Sequence, residues 1–210
     1  MFLIDLSLRL TGRTNLPVLP NHVDIDLTNV CNQDCFYCNS ADFRAKNLVT
    51  GRTNQYLNLL DQLANWRQHT PQSIGSIRNI NFTGGGEPTV HKHIGPIMAH
   101  AIDKGFRVTL ISNGSKLHRV VEGIPKDKIQ SVAWIGIDID SANPETYESI
   151  RRSLTRDTLY HTVVKNIKLA VDAGFRVDIK GLLMPQNTNE HELNALFEMV
   201  SYTGARQLHI

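Results

Sequence analysis

The sequence alternates between short runs typical of β-strands and longer segments with helical spacing of apolar residues. Six strands are predicted, over residues 22–27, 77–82, 106–111, 131–137, 175–183 and 206–210. Helices are predicted over residues 54–67, 94–104, 116–122 and 190–200, and in the stretch that follows Pro144 and ends at Gly174. Strands that are separated by helices are joined by right-handed crossovers, which build a parallel sheet. The alternation therefore predicts an α/β fold with parallel strands.

The chain length limits the size of this fold. A barrel of eight strand–helix units typically needs about 250 residues, and this chain has 210. Six strands with five helices predict a partial (β/α)6 barrel with parallel strands, ending at the sixth strand. We expect an N-terminal extension over residues 1–20 and one core domain over residues 21–210. The chain ends within the sixth predicted strand, which leaves open a C-terminal continuation of that domain.

Charge and hydropathy exclude several classes of protein. Lys and Arg number 22 against 20 Asp and Glu, and the resulting net charge of +2 gives no evidence for a nucleic-acid partner. No stretch approaches the roughly 18 apolar residues of a membrane span. The first residues carry an early acid, Asp5, and no small-residue cleavage site, so they do not resemble a signal peptide. We expect a cytoplasmic protein without a membrane partner.

All three cysteines, Cys31, Cys35 and Cys38, lie in the loop after the first predicted strand. Disulfide frameworks use even numbers of cysteines, so this cluster indicates metal binding or redox chemistry. An electron-transfer 4Fe–4S cluster takes four cysteines, and a cluster held by only three keeps one iron open to a small-molecule ligand. The alternative is a non-catalytic zinc-binding module in which a histidine completes the ligands, because structural zinc takes four.

A glycine-rich turn follows the second predicted strand. Three consecutive glycines, Gly84, Gly85 and Gly86, precede Glu87 there. Glycines without side chains let a ligand approach the backbone closely, and they also form plain tight turns. Because active sites of parallel α/β folds lie at the carboxyl ends of the strands, this turn and the cysteine loop are predicted to meet at one site.

The spacing Cys-x-x-x-Cys-x-aromatic-Cys, with Tyr37 as the aromatic residue, resembles the signature of the radical S-adenosylmethionine (SAM) superfamily. The resemblance extends over about residues 23–210. It implies that Cys31, Cys35 and Cys38 bind a 4Fe–4S cluster whose fourth iron chelates SAM. Reductive cleavage of SAM would then give a 5′-deoxyadenosyl radical, which abstracts hydrogen from a peptide, a sugar or a cofactor precursor. An external electron donor of the flavodoxin or ferredoxin type is implied, because no further cysteine remains for a relay cluster.

The same resemblance implies residues that bind SAM. Gly85-Gly86-Glu87 matches a family motif whose backbone contacts the methionyl amine. Because a further glycine, Gly84, precedes this motif, the resemblance assigns the contacting residue only to within one position. The resemblance assigns further SAM-binding residues to the aromatic position and the later strand ends: Tyr37, Asn113, Asp138, Ser141, Arg151 (or its neighbour Arg152) and Met184.

Structural interpretations of the later positions stay open. Ser112-Asn113-Gly114 is also an ordinary Asn-Gly turn. Asn143-Pro144 is also a helix start, which would leave Arg151 as a surface charge. Pro185 by itself explains a loop after the fifth strand.

Overall fold

The computed structural model describes residues 20–69, 76–154 and 159–210. Within them, six parallel strands form one sheet in chain order. The strands are β1 (His22–Ile25), β2 (Asn79–Phe82), β3 (Arg107–Ser112), β4 (Val132–Asp138), β5 (Val177–Lys180) and β6 (Gln207–His209). The predicted α/β fold with six parallel strands is confirmed, as an open sheet of the kind that a partial barrel contains. Residues 1–19 of the predicted N-terminal extension lie outside the described residues.

Seven α-helices lie in the described part of the chain. They are α1 (Ala41–Lys46), α2 (Thr53–His69), α3 (Ile94–Asp103), α4 (His118–Gly123), α5 (Pro144–Arg151), α6 (Tyr160–Asp172) and α7 (Glu190–Thr203). Short 3-10 helices cover Pro88–Val90 and Lys126–Ser131. Helix α1 was absent from the predicted set of five helices, and the one helical stretch predicted between Pro144 and Gly174 contains two helices, α5 and α6.

Helix α5 begins at a strong local signal. The Asn143 side-chain oxygen accepts hydrogen bonds from the backbone N–H groups of Glu145 and Thr146, and Pro144 occupies the first turn. Both features favour a helix start. The helix ends at Arg151. The next residue, Arg152, has a φ of +30°, the one positive value among described residues other than glycine. This bend separates α5 from α6.

The core lies between the sheet and the helices that cover it. Strand residues such as Phe82, Leu110 and Ile137 are fully buried and pack in one cluster with helix residues such as Met98 and Ile167. Along β3, buried residues alternate with partly exposed ones, so this cluster lies on one face of the sheet. None of the helices that the structure describes is long and apolar enough to cross a membrane.

The face of α7 that packs on the core differs from the face that its apolar spacing predicts. That spacing predicts that Leu193, Leu196, Phe197 and Val200 point inward, but Phe197 is 55% exposed. The buried residues are Glu192, Leu196, Met199 and Thr203. Glu192 sets the orientation of the helix, because its carboxylate accepts hydrogen bonds from the hydroxyls of Ser141 and Thr146.

Candidate functional site

A cavity of about 390 Å³ lies at the carboxyl ends of the first four strands. Its walls come from the loop after β1, the glycine turn after β2, the ends of β3 and β4, and one residue each of α1 and α5. Eleven of the predicted site residues line it: Cys31, Cys35, Tyr37, Cys38, Gly84, Gly85, Gly86, Glu87, Asn113, Asp138 and Arg151. The fold therefore brings together residues that are up to 120 positions apart in the chain.

The three cysteines are free and half-buried in this cavity wall. The Arg44 guanidinium donates a hydrogen bond to Cys38 Sγ at 3.0 Å and another to the Gly85 carbonyl at 3.2 Å. The Asn113 amide lies 4.0 Å from Cys31 Sγ. Polar donors from α1 and from the end of β3 thus reach the sulfur atoms, as donors commonly do around iron–sulfur clusters.

Burial controls the protonation of two of these thiols. It raises the pKa of Cys31, and it raises the pKa of Cys35 to about 11 against the opposing effect of Arg151. Metal ligation needs the thiolate, so binding of a metal group here releases protons.

The arrangement of the donors suits a cluster better than a single metal ion. In the described ranges, no three side chains of His, Cys, Asp or Glu are grouped closely enough to share one ion. A structural zinc site requires four ligands on one ion, whereas each cysteine of a 4Fe–4S cluster ligates its own iron. Three thiols that line one cavity match the ligand set of a cluster that keeps one iron open.

The glycine turn packs directly against the loop after β1. Gly84 has a φ of +152°, and a Cβ atom there would overlap the Asp26 carboxylate. A Cβ atom at Gly86 would overlap the carbonyl oxygen of Thr28. The Asp26 carboxylate also accepts a hydrogen bond from the Gly85 N–H at 3.0 Å. Glycine is therefore required at two of the three positions for the strand ends to meet.

The buried carboxylate of Glu87 joins the end of β2 to the end of β3. One oxygen accepts hydrogen bonds from the Thr89 N–H, the Thr89 hydroxyl and the Ser112 hydroxyl, at 2.8, 2.5 and 2.7 Å. The other accepts from the Asn113 N–H at 2.7 Å. Burial raises the pKa of Glu87, and these four donors oppose that effect.

Asn113 links the end of β3 to the cysteine loop. Its side-chain oxygen accepts hydrogen bonds from the N–H and the hydroxyl of Ser115, which fixes the turn. Its amide donates to the Asn32 side chain at 3.1 Å. The plain Asn-Gly turn and the site residue are thus compatible interpretations of the same segment.

The end of β4 contributes acidic groups to the cavity. Asp138 lines it, with Lys180 at 3.7 Å. Burial raises the pKa of Asp138, while the positive charges of Arg151 and Lys180 lower it. Arg151 is buried rather than a surface charge, and its guanidinium bonds to Tyr37 and Asp140.

Three of the sequence candidates lie outside the set that lines the cavity. Ser141 is buried and donates a hydrogen bond to Glu192 at 2.5 Å. Met184 lies in the loop after β5, where its N–H donates to the Asn187 side chain. The side chain of Arg152, the alternative to Arg151, is exposed.

Sequence reasoning missed several residues of the cavity and its walls. Arg44 and Gln33 line the cavity, and Asp140 holds two of its residues. Asp140 had a signal, because the segment 138–141 after the fourth predicted strand carries two carboxylates and a hydroxyl, which the family resemblance associates with SAM. No sequence pattern singled out Arg44 or Gln33.

Comparison with protein families adds to this geometry. The model of the radical SAM superfamily matches residues 25–200. A SAM-dependent nucleotide dehydratase from Selenomonas ruminantium is 28% identical over 174 residues, which cover 80% of this chain and 58% of the relative. An AdoMet-dependent heme synthase from Methanosarcina barkeri is 26% identical over 94% of this chain and 51% of the relative. This chain thus spans between half and three-fifths of the length of these relatives.

Solved structures show the same fold at low sequence identity. Streptococcus suis SuiB bound to the precursor peptide SuiA matches with a TM-score of 0.66 at 12% identity, over 97% of this chain and 41% of that one. Native anSMEcpe with bound AdoMet matches with a TM-score of 0.63 at 15% identity, over 90% of this chain and 50% of that one.

Proposed function

Because the chain belongs to the radical SAM superfamily, a family of enzymes whose cofactors are a 4Fe–4S cluster and SAM, we propose that Cys31, Cys35 and Cys38 hold the cluster in the cavity. When bound, such a cluster supplies the electron that cleaves SAM reductively to a 5′-deoxyadenosyl radical, which abstracts hydrogen from the substrate. The observation that carries the proposal is that one cavity is lined by all three thiols, the glycine turn and the end of β3.

The residues of this chain orient SAM in the cavity. The backbone of the glycine turn faces the cavity next to Cys38, with Arg44 bridging the two. We assign this turn to the methionyl amine of SAM. Asp138 lines the cavity beyond the turn, where a carboxylate accepts hydrogen bonds from ribose hydroxyls.

The proposal includes a class of electron donor but names no single substrate. This chain has no cysteine beyond the three, so a relay cluster has no thiolate ligands in it, and we propose a flavodoxin or ferredoxin as the external donor. The relatives' names range from a nucleotide dehydratase to a heme synthase, and they therefore single out no substrate.

Metal analysis after anaerobic reconstitution tests the proposed ligands. We expect about four iron and four sulfide per chain, and loss of both in Cys31→Ala, Cys35→Ala and Cys38→Ala. Phe36→Ala is the matched control, because Phe36 lies in the same loop with its side chain 49% exposed, and it should keep the full content. Zinc without iron or sulfide in the wild-type chain would favour the zinc-binding module and overturn the proposal.

A further inference from the structure

The cysteine loop is paired along its length with the end of α5. The Asp34 N–H donates to the Arg152 carbonyl at 2.9 Å, and the Phe36 N–H donates to the Ile150 carbonyl at 3.2 Å. In the other direction, the Leu154 N–H donates to the Asn32 carbonyl at 3.1 Å. Residues 32–36 and 150–154 therefore run antiparallel and exchange backbone hydrogen bonds.

Backbone strain lies at the centre of this pairing. Arg152 has a φ of +30° and a ψ of 105°, a backbone conformation that residues other than glycine rarely adopt. Its carbonyl is the acceptor for Asp34, and the bend turns the chain from α5 into the segment that pairs with the cysteine loop. Such conformations persist only where the surrounding structure holds them in place.

Three side chains next to this bend form a closed set of hydrogen bonds. The Tyr37 hydroxyl donates to an oxygen of Asp140 at 2.7 Å. Arg151 Nε donates to the same oxygen at 2.8 Å, and Arg151 Nη2 donates to the Tyr37 hydroxyl at 2.7 Å. We call Tyr37, Asp140 and Arg151 the Tyr37 anchor.

The charges of the anchor are buried and paired. Asp140 is 1% and Arg151 4% exposed. The second oxygen of Asp140 accepts a hydrogen bond from the Leu182 N–H at 2.9 Å, so the carboxylate also holds the loop after β5. Because a buried charge that loses its partner is strongly unfavourable, Asp140 and Arg151 hold each other in place. Both also form hydrogen bonds with the Tyr37 hydroxyl and so hold it.

We propose that the Tyr37 anchor is a positioning device that holds the cysteine loop against α5, so that Cys35 and Cys38 face the cavity before the cluster binds. The inference rests on the proposed function for the cluster itself, but the preorganisation is a property of the chain alone. Arg151 acts in it through Tyr37, since Nε and Nη2 are occupied by Asp140 and Tyr37.

Hydrogen exchange of the cluster-free chain under reducing conditions tests the anchor directly. Tyr37→Phe removes one hydroxyl, and Asp140→Asn removes the charge. Tyr37→Phe should speed exchange of the amides in residues 32–38 by roughly five- to tenfold, while β3 and β4 keep their protection. Asp140→Asn should speed it by a larger factor, because it leaves Arg151 buried without its counter-charge. Tyr160→Phe is the matched control, because it removes a tyrosine hydroxyl that bonds the Ala142 carbonyl instead, and residues 32–38 should exchange at the wild-type rate.

Two further readouts separate positioning from general destabilisation. The reconstituted Tyr37→Phe chain should lose iron to a chelator faster than wild type by the same factor. Arg151→Lys keeps the charge and should exchange at a rate between wild type and Arg151→Met. Unchanged exchange in residues 32–38 of both anchor variants, or equal acceleration in every strand, would overturn the inference. A wild-type chain that binds no iron would instead overturn the proposed function, and the exchange result would still decide about the anchor.

Discussion

The carboxylate of Glu87 accepts a hydrogen bond from the backbone N–H of Asn113 at 2.7 Å, although the two residues belong to different strand ends. This contact, with that to the Ser112 hydroxyl, fixes the glycine turn after β2 against the turn after β3. The motif Gly85-Gly86-Glu87, which the family resemblance associates with SAM, therefore has two parts. The glycine backbone lines the cavity, and the Glu87 side chain connects the turn to the end of β3.

Replacing Glu87 by glutamine tests this bracing role. One oxygen of the side chain becomes an NH2 group, which then faces either the Asn113 N–H or the donors of Thr89 and Ser112. We expect a loss of about 1–3 kcal/mol in the free energy of unfolding, measured by urea titration, and weaker SAM binding by the reconstituted chain. Glu122→Gln on the exposed face of α4 is the control and should be neutral; equal stability of the two variants would contradict the role.

Alanine at neighbouring glycines of the turn should have opposite outcomes. At Gly86 a Cβ atom overlaps the backbone of residues 28–30, so Gly86→Ala should destabilise the fold and displace the cysteine loop. At Gly85 the nearest atom is Ser40 Oγ at 3.4 Å, so Gly85→Ala should fold normally. Thermal unfolding of the two variants checks the difference. If Gly86→Ala is as stable as Gly85→Ala, the described contact between the strand ends is wrong.

The buried imidazole of His91 should make stability depend on pH. Its Nε2 bonds the Gly51 carbonyl at 3.1 Å, and its Nδ1 accepts from the His93 N–H. Burial lowers the pKa of His91, and the neighbouring His93, Arg119 and Lys92 lower it further, while the Gly51 carbonyl raises it. Below about pH 6.5 the unfolded chain gains a proton that the folded chain resists, so stability falls on acidification by up to about 1.4 kcal/mol per pH unit.

A glutamine variant isolates this effect. His91→Gln removes the titrating group, and its stability should fall less than that of wild type between pH 7 and pH 5, as measured by urea titration at each pH. Gln62→Ala replaces an exposed side chain that does not titrate and should follow the wild-type curve. Parallel curves for wild type and His91→Gln would show that the folded chain accepts the proton freely.

Substitutions in α7 test which face of the helix packs on the core: the observed one, which excludes Phe197, or the one that the apolar spacing predicts, which includes it. Leu196 is fully buried and Phe197 is 55% exposed. Leu196→Ala should cost about 2–5 kcal/mol of unfolding free energy, whereas Phe197→Ala should cost less than about 1 kcal/mol because few buried contacts are lost. A larger loss of unfolding free energy for Phe197→Ala than for Leu196→Ala would show that the face predicted from the apolar spacing packs on the core.

This helix also shows why the sequence was insufficient in places. Apolar spacing identified α7 and placed Leu196 correctly, but it could not anticipate that a buried carboxylate, Glu192, would orient the helix through Ser141 and Thr146. The parallel direction of the strands, by contrast, follows from the alternation of strands and helices, which extends along the whole chain.

The candidate site shows the same division. The cysteine spacing and the glycine turn are local patterns, so they could be recognised in the sequence. Asp140 could not be assigned a role, because its partners Tyr37 and Arg151 lie 103 and 11 positions away and meet it only in the folded chain. Likewise, nothing local indicated that Arg44 would bond both Cys38 and Gly85.

The most direct test of the account is the formation of 5′-deoxyadenosine by the reconstituted chain with SAM and dithionite under anaerobic conditions. We predict that wild type forms it, that Cys35→Ala forms none, and that Phe36→Ala forms it at a rate close to wild type. A wild-type chain that carries its full iron and sulfide and binds SAM, yet forms no 5′-deoxyadenosine, would contradict the central claim.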